Sequence, residues 1–366
     1  MLTKDRAHLA DLQRRILDAE HTLSALRVQE SVVKERLHAY KYPVSTLPNE
    51  LIAEIFLHFL PKYPICPPLA GPNSPIILTH ICRSWRDIAI ATPRLWRAVS
   101  LSGRRSWANP NNINLWFSRA GCLPLALRLN EADGYDPAAL ALMRAVLPYR
   151  SRCEYLELRL DDYIPGLPEL EGEFPLLRHL DLELDDDPPY GEIVFHNFPM
   201  LRSVVLDVLA ARWIVLPWRQ LTSLSLHSIS FHDCVAVLRK VINLLECNLN
   251  IIVHDEKYIV NPPIKLPHLK LLKVDGDGSM NAFLGSFVLP ALSTLHVCEM
   301  LLGPDPIFSL TSFISTSECH LRQLRITCTH PKSQPYTSYC AALTSVQELS
   351  LGDDPDRRPL HLLSGF

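Results

Sequence analysis

Phe174-Pro175-Leu176-Leu177-Arg178-His179-Leu180-Asp181-Leu182-Glu183 carries the pattern on which the reading of this chain turns. An apolar residue followed by proline marks a turn, and the run after it alternates as a strand does, with Leu180 and Leu182 on one side. Leu177, Leu180 and Leu182 stand at the first, fourth and sixth places of a hexad. The same spacing returns at Leu201/Val204/Leu206, Leu221/Leu224/Leu226, Leu269/Leu272/Val274, Leu292/Leu295/Val297, Leu321/Leu324/Ile326 and Val346/Leu349/Leu351. Cys153, Leu156 and Leu158 fit an earlier copy, and a degenerate one is expected around Asn248-Leu249-Asn250-Ile251. Contiguous first positions fall between 20 residues apart (Leu201 to Leu221) and 29 apart (Leu292 to Leu321). Phe198-Pro199, Leu216-Pro217, Leu266-Pro267 and Leu289-Pro290 restart later copies at the same place.

Such a period belongs to leucine-rich repeats. One copy exposes two or three aliphatic side chains that it cannot bury alone, whereas stacking buries each for about 1.5–3 kcal/mol. Residues 122–366 are therefore expected to form an irregular α/β leucine-rich-repeat-like solenoid. Within each strand the residues between the leucines point the other way and line an exposed face. Glu157, Asp181, Glu183, Asp207 and His227 are the candidate client-binding residues there, with Asp185-Asp186-Asp187 adding charge at a strand exit. Acids predominate in the earlier strands, which points to a protein client rich in basic residues; a solvated face explains the same charges without a client.

Upstream, Leu47-Pro48-Asn49-Glu50-Leu51-Ile52-Ala53-Glu54-Ile55-Phe56 reads as a helix started by proline, with Leu51, Ile55 and Phe56 as an apolar stripe. Ile81-Cys82-Arg83-Ser84-Trp85-Arg86-Asp87-Ile88-Ala89 repeats the helical pattern with Ile81, Trp85 and Ile88 on one face, and Thr92-Pro93-Arg94-Leu95-Trp96 begins a third segment. Taken in order, these three runs resemble the F-box, the adaptor-binding module of cullin-RING ubiquitin ligase receptors, over roughly one-sixth of the chain. The segment Pro61 to Pro75 is longer than the usual F-box spacing and too rich in proline for a helix, so an exposed loop is expected. An insert of this kind is similar to those of F-box proteins from mushroom-forming fungi. The resemblance implies that Leu47, Pro48, Leu51, Ile55, Phe56, Ile81, Cys82, Trp85 and Trp96 are divided between the F-box core and a surface docking on a Skp-type adaptor, which bridges to cullin.

Residues 1–41 read as one long helix. Leu2, Leu9, Ile16, Leu23 and Leu37 recur every seven residues, with Leu12, Ala19, Leu26, Val33 and Tyr40 at the complementary offset; Asp5 and Glu30 interrupt the two series. No Gly or Pro intervenes before Pro43, so the helix extends about 55 Å. Such a coiled-coil seam can pair with a second copy, bind another protein, or fold back on its own chain.

The expected organisation is thus α+β and multidomain: heptad helix 1–41, three-helix F-box 44–101, connector 102–121, and solenoid. A formal net charge of -3 lacks the concentrated basic stripe of a nucleic-acid binder. The ten cysteines show no Cys-x-x-Cys spacing, which fits reduced thiols in the cytoplasm or nucleus. No apolar run has membrane-spanning length. Nucleophile elbow, Walker loop, dinucleotide fingerprint and His-Glu-x-x-His are all missing, so neither catalytic residue, metal nor cofactor is expected. Cys319-His320 with Cys328-x-His330 does not match metal-ligand spacing. The functional expectation is a non-catalytic substrate-receptor subunit of an SCF-type ubiquitin ligase; the alternative is an interaction scaffold that dimerises through its N-terminal helix.

Overall fold

The computed structural model describes residues 2–39, 46–102, 110–130, 144–160, 173–184, 193–194, 197–253, 260–277, 280, 283–327 and 336–352. Asp185-Asp186-Asp187, Tyr40, Cys328 and His330 lie outside these residues. The chain is mixed α/β, with a long N-terminal helix and a large parallel sheet. It divides into two compact units, Met1–Phe56 and Leu57–Phe366.

The first unit is dominated by α1 (Leu2–Ala39), which runs unbroken because nothing in it breaks a helix. Every described side chain from residue 2 to 37 is exposed, the heptad leucines included. The helix α2 (Asn49–Phe59) starts after Pro48, whose carbonyl accepts the N–H groups of Leu51 and Ile52.

The second unit opens with α3 (Pro75–Ile81) and α4 (Arg83–Ile90). The expectation of one helix carrying Ile81, Trp85 and Ile88 on a shared face is corrected here. Cys82 is extended (φ -155, ψ 170) and separates the two helices, its Sγ accepting from Trp85 N–H at 3.4 Å. Ile81 is consequently exposed while Ile88 is buried. The strand β1 (Ala98–Ser102) then begins the sheet, well before residue 122, and α5 (Pro110–Arg119) leads to β2 (Leu125–Asn130).

The strands that follow are β3 (Cys153–Leu160), β4 (His179–Leu184), β5 (Ile193–Val194), β6 (Ser203–Leu206), β7 (Ile214–Val215), β8 (Ser223–Ser230), β9 (Glu246–Ile252), β10 (Ile264–Lys265), β11 (Leu271–Asp277), β12 (Phe287–Val288), β13 (Thr294–Cys298), β14 (Gln323–Thr327) and β15 (Glu348–Leu351). Eleven of them form one sheet in the order β1-β2-β3-β4-β6-β8-β9-β11-β13-β14-β15, so the chain lays each long strand beside the last. The shorter pairs β5-β7 and β10-β12 are also parallel.

The register turns the hexads into ladders. One row runs Val99, Leu127, Leu156, Leu180, Val204, Leu224, Cys247, Leu272, Leu295, Leu324, Leu349; two residues on, another runs Leu101, Leu129, Leu158, Leu182, Leu206, Leu226, Leu249, Val274, Val297, Ile326, Leu351. All are buried except Leu349 and Leu351 on β15, which no further strand covers among the described residues. The degenerate copy is a full member of the sheet, reading Leu244-x-x-Cys247-x-Leu249 with all three buried. The first position is buried too, from Leu177 and Leu201 through Leu269 to Leu321.

The apolar-proline pairs have a common geometry. Leu177, Leu201, Leu269 and Leu292 each donate their N–H to the carbonyl three residues back, at Phe174, Phe198, Leu266 and Leu289. Proline in the second place of these tight turns presets the backbone and removes a donor that the turn does not need. Phe174 and Phe198 meet at a tilt of 56° with ring centroids 5.3 Å apart, so consecutive turns pack on one another as consecutive strands do.

Candidate functional site

Asn49–Phe59 buries one side and leaves an apolar side in water. Ile52 and Phe56 are 3% and 1% exposed, whereas Leu51 and Ile55 are 53% and 49% exposed. Leu47 and Pro48 are exposed as well, at the helix entrance. A core helix turns its apolar stripe inward and its polar side outward. This one carries aliphatic side chains on both sides, which fits a helix with two apolar contacts to make. Phe56 belongs with the buried set, not with the stripe of Leu51 and Ile55 to which the sequence assigned it.

In α3 and α4, Ile81 and Cys82 are exposed and Trp85 is half-buried. Trp96 is different: it is wholly buried, its Nε1 donates to the Ala89 carbonyl at 2.8 Å, its ring meets Trp116 edge-on at 5.0 Å, and Arg119 lies over it at 4.5 Å. Its spacing to Val99 and Leu101 is that of the repeated hexad. Trp96 thus fills in the first strand the place that Leu177 fills in β4, while tying that strand to the end of α4.

The exposed face of the sheet begins under a strap. The proline-rich segment expected to be an exposed loop instead pairs with the sheet's edge: Ser100 N–H donates to the Pro67 carbonyl at 2.7 Å and Leu69 N–H to the Ser100 carbonyl at 3.2 Å. Proline has no N–H to offer a central ladder and is at home on such an edge. Tyr63, from the same segment, reaches over the face. Its hydroxyl donates to Glu154 at 2.8 Å, its ring meets Tyr155 edge-on at 5.5 Å, and Arg97 stacks on it at 3.3 Å. Cys66 is half-buried beside the same edge, and burial pushes its thiol up to about 12.

Beside the strap, Glu157 and Glu183, two of the acids that sequence reading offered to a basic client, have cations of their own. Arg128 binds Glu157 at 3.0 Å, and Arg159 lies 3.6 Å from Glu157 and 3.3 Å from Glu183. Glu154 is held by Arg178 at 3.1 Å. Asp181, in register with Glu157, is pushed up to about 6, first by burial and then by the Glu157 carboxylate. His179 shares a hydrogen bond with Ser203 Oγ at 3.0 Å, and burial lowers both His179 and His227, leaving them neutral near pH 7. Asp207 is no strand residue: it follows β6 and caps the helix Val208–Trp213, accepting from Ala210 and Leu209 N–H. Glu157, Asp181, Glu183 and His227 are therefore gathered on one face, and Asp207 serves the adjoining turn. Of the cations, Arg128 was legible in the alternation of Leu125-Ala126-Leu127-Arg128-Leu129, whereas nothing in the sequence announced Tyr63 or Arg97 as their neighbours.

Among the described residues no group of His, Cys, Asp and Glu is placed to hold a metal ion, no disulfide joins the cysteines, and no helix is long and apolar enough to cross a membrane. Comparison with protein-family models and with curated proteins finds no match to this chain.

Proposed function

We propose that the chain is a non-catalytic substrate receptor of an SCF-type cullin-RING ubiquitin ligase, whose F-box binds a Skp-type adaptor and whose leucine-rich-repeat-like solenoid holds a protein client. The observation that carries this reading is the outward apolar side of α2, Leu51 and Ile55 with Leu47 and Pro48 at its entrance, opposite a buried Ile52 and Phe56. It supports the reading because a motif that resembles an adaptor-binding module presents its defining Leu-Pro and the following aliphatic residues to solvent, where a partner can cover them. The sequential parallel sheet supports the second half, since its exposed row of alternate residues is a broad platform for a protein. Such a receptor accelerates transfer by holding client and charged enzyme together, with no acid or base of its own. Work beside adaptor and cullin would place the chain in the cytoplasm or nucleus.

The test is co-purification of the full chain with a Skp-type adaptor and cullin. The double variants Leu47→Ala/Pro48→Ala and Leu51→Asp/Ile55→Asp are expected to abolish capture while helix content and thermal unfolding are retained. A folded wild-type chain that ignores the adaptor at about micromolar concentration, where a specific interface of standard size is readily populated, removes the ligase reading and leaves the interaction scaffold.

A further inference from the structure

Leu9, Leu12, Ile16, Ala19, Leu23 and Leu26 follow one another at alternating steps of three and four along α1, an unbroken apolar seam with Asp5 before it and Glu30 after it. The described leucines and isoleucine of this seam are all exposed, between 37% and 57%. A lone helix in water draws little stability from propensity and normally needs an apolar face packed against something. We infer that α1 pairs with α1 of a second copy as a parallel, in-register, two-stranded coiled coil.

The flanking charges select both the partner and the direction. In a parallel pair, residues beside the seam meet partners five positions further along the other helix. That sets Arg15 against Glu20 of the second copy, twice by symmetry, and the other such pairs that lie wholly within α1, His8 with Gln13, Thr22 with Arg27 and Gln29 with Lys34, contain no two like charges. Running the second helix backwards with the same apolar layers matched sets Arg6 against Arg27 at both ends and parts Arg15 from Glu20. Sliding either helix by one heptad drives Glu30 into the leucine run. The in-register pair sets Glu30 against Glu30 and Asp5 against Asp5 of the second copy, like charges at the two ends of the leucine run that solvent screens and that Lys34, 2.6 Å from Glu30 in the same helix, offsets in part; the reversed pair sets Asp5 against Glu30, so these two layers do not choose the direction and Arg15 with Glu20 does. Self-complementarity of this kind is a property of the sequence with itself, which is why a second copy is the occupant. The pairing stands whether or not the chain binds an adaptor, and it would present two sheet faces from one assembly, so that a client bearing two recognition segments is held by avidity.

Light scattering on the full chain at about micromolar concentration, which detects a pairing worth about 8 kcal/mol or more, should return twice the 41.5 kDa chain mass. Leu12→Asp/Ile16→Asp should return the single-chain mass with the cooperative unfolding of the sheet unchanged. Arg15→Glu should weaken dimerisation several-fold, and Arg15→Glu/Glu20→Arg should restore it, because only the parallel register pairs those positions. A wild-type chain that stays monomeric, or a dimer indifferent to Leu12→Asp/Ile16→Asp, overturns the pairing; loss at Arg15→Glu without recovery in the double variant overturns its direction.

Discussion

The N-terminal helix and the parallel sheet are both built on regularly spaced leucines, yet the leucines of α1 face water and those of the sheet ladders are buried. The difference lies in what covers a repeat. A strand-and-turn copy is covered by the next copy of the same chain, so Leu180 meets Leu156 on one side and Val204 on the other. A single helix has no next copy, and the leucines of α1 are left in water. Leucine periodicity therefore predicts structure in both regions, but it predicts a self-contained core only where the repeating unit recurs along the chain.

Trp96 gives this contrast its largest expected effect. It is buried, hydrogen-bonded and packed on Trp116, and it occupies a first-position site of the sheet. Trp96→Ala should cost about 3–5 kcal/mol, whereas Trp85→Ala, at a half-buried ring, should cost about 1 kcal/mol. Urea unfolding of the two variants side by side measures it. Equal losses would mean that α4 and the sheet are stabilised independently of the Trp96 link.

Coverage by the next copy is sharpened within the sheet itself. Leu226 lies in β8 between β6 and β9, while Leu351 lies on β15, the edge of the sheet among the described residues, and is half-exposed. Leu226→Ala should destabilise by about 2–5 kcal/mol and Leu351→Ala by about 1 kcal/mol or less, for the same atoms removed. If the two changes unfold the sheet alike, burial by a following strand is not what makes a copy stable.

Where the sequence was readable follows from the same physics. The hexads were legible because a buried row needs the same residue type in every copy, and even Leu244, Cys247 and Leu249 respect it once Cys is allowed as a small apolar residue. The long helix was legible because heptads are local. The break at Cys82 was not, since Ile81, Trp85 and Ile88 fit one helical face and nothing local forbids its continuing. Nor was the docking of Pro67 on Ser100, a contact between residues that the chain brings together only through tertiary structure. The charges of the sheet face were read by type and not by neighbour, and that is why the acids beside Asp181 looked free. Glu157 lies next to Arg128 only because β2 and β3 pair in one particular register.

That register makes Asp181 the smallest but most discriminating test of the contrast between exposed and covered surfaces. Its carboxyl is raised to about 6 by burial and by Glu157, against roughly 3.9 in an unfolded chain. Between those values the native state holds the proton that the unfolded state has released. Stability on this account falls as pH rises from about 4 to about 6, opposite to the behaviour of a salt-bridged carboxylate. Allowing for partial exposure to solvent, Asp181→Asn should gain about 1 kcal/mol above pH 6 and nothing below about pH 4. Comparing urea midpoints of wild type and variant across that range reads the effect directly. A gain that persists unchanged at the acid end would show that Asp181 is disfavoured for its shape rather than its charge, and that this part of the face is as dry as the ladders behind it.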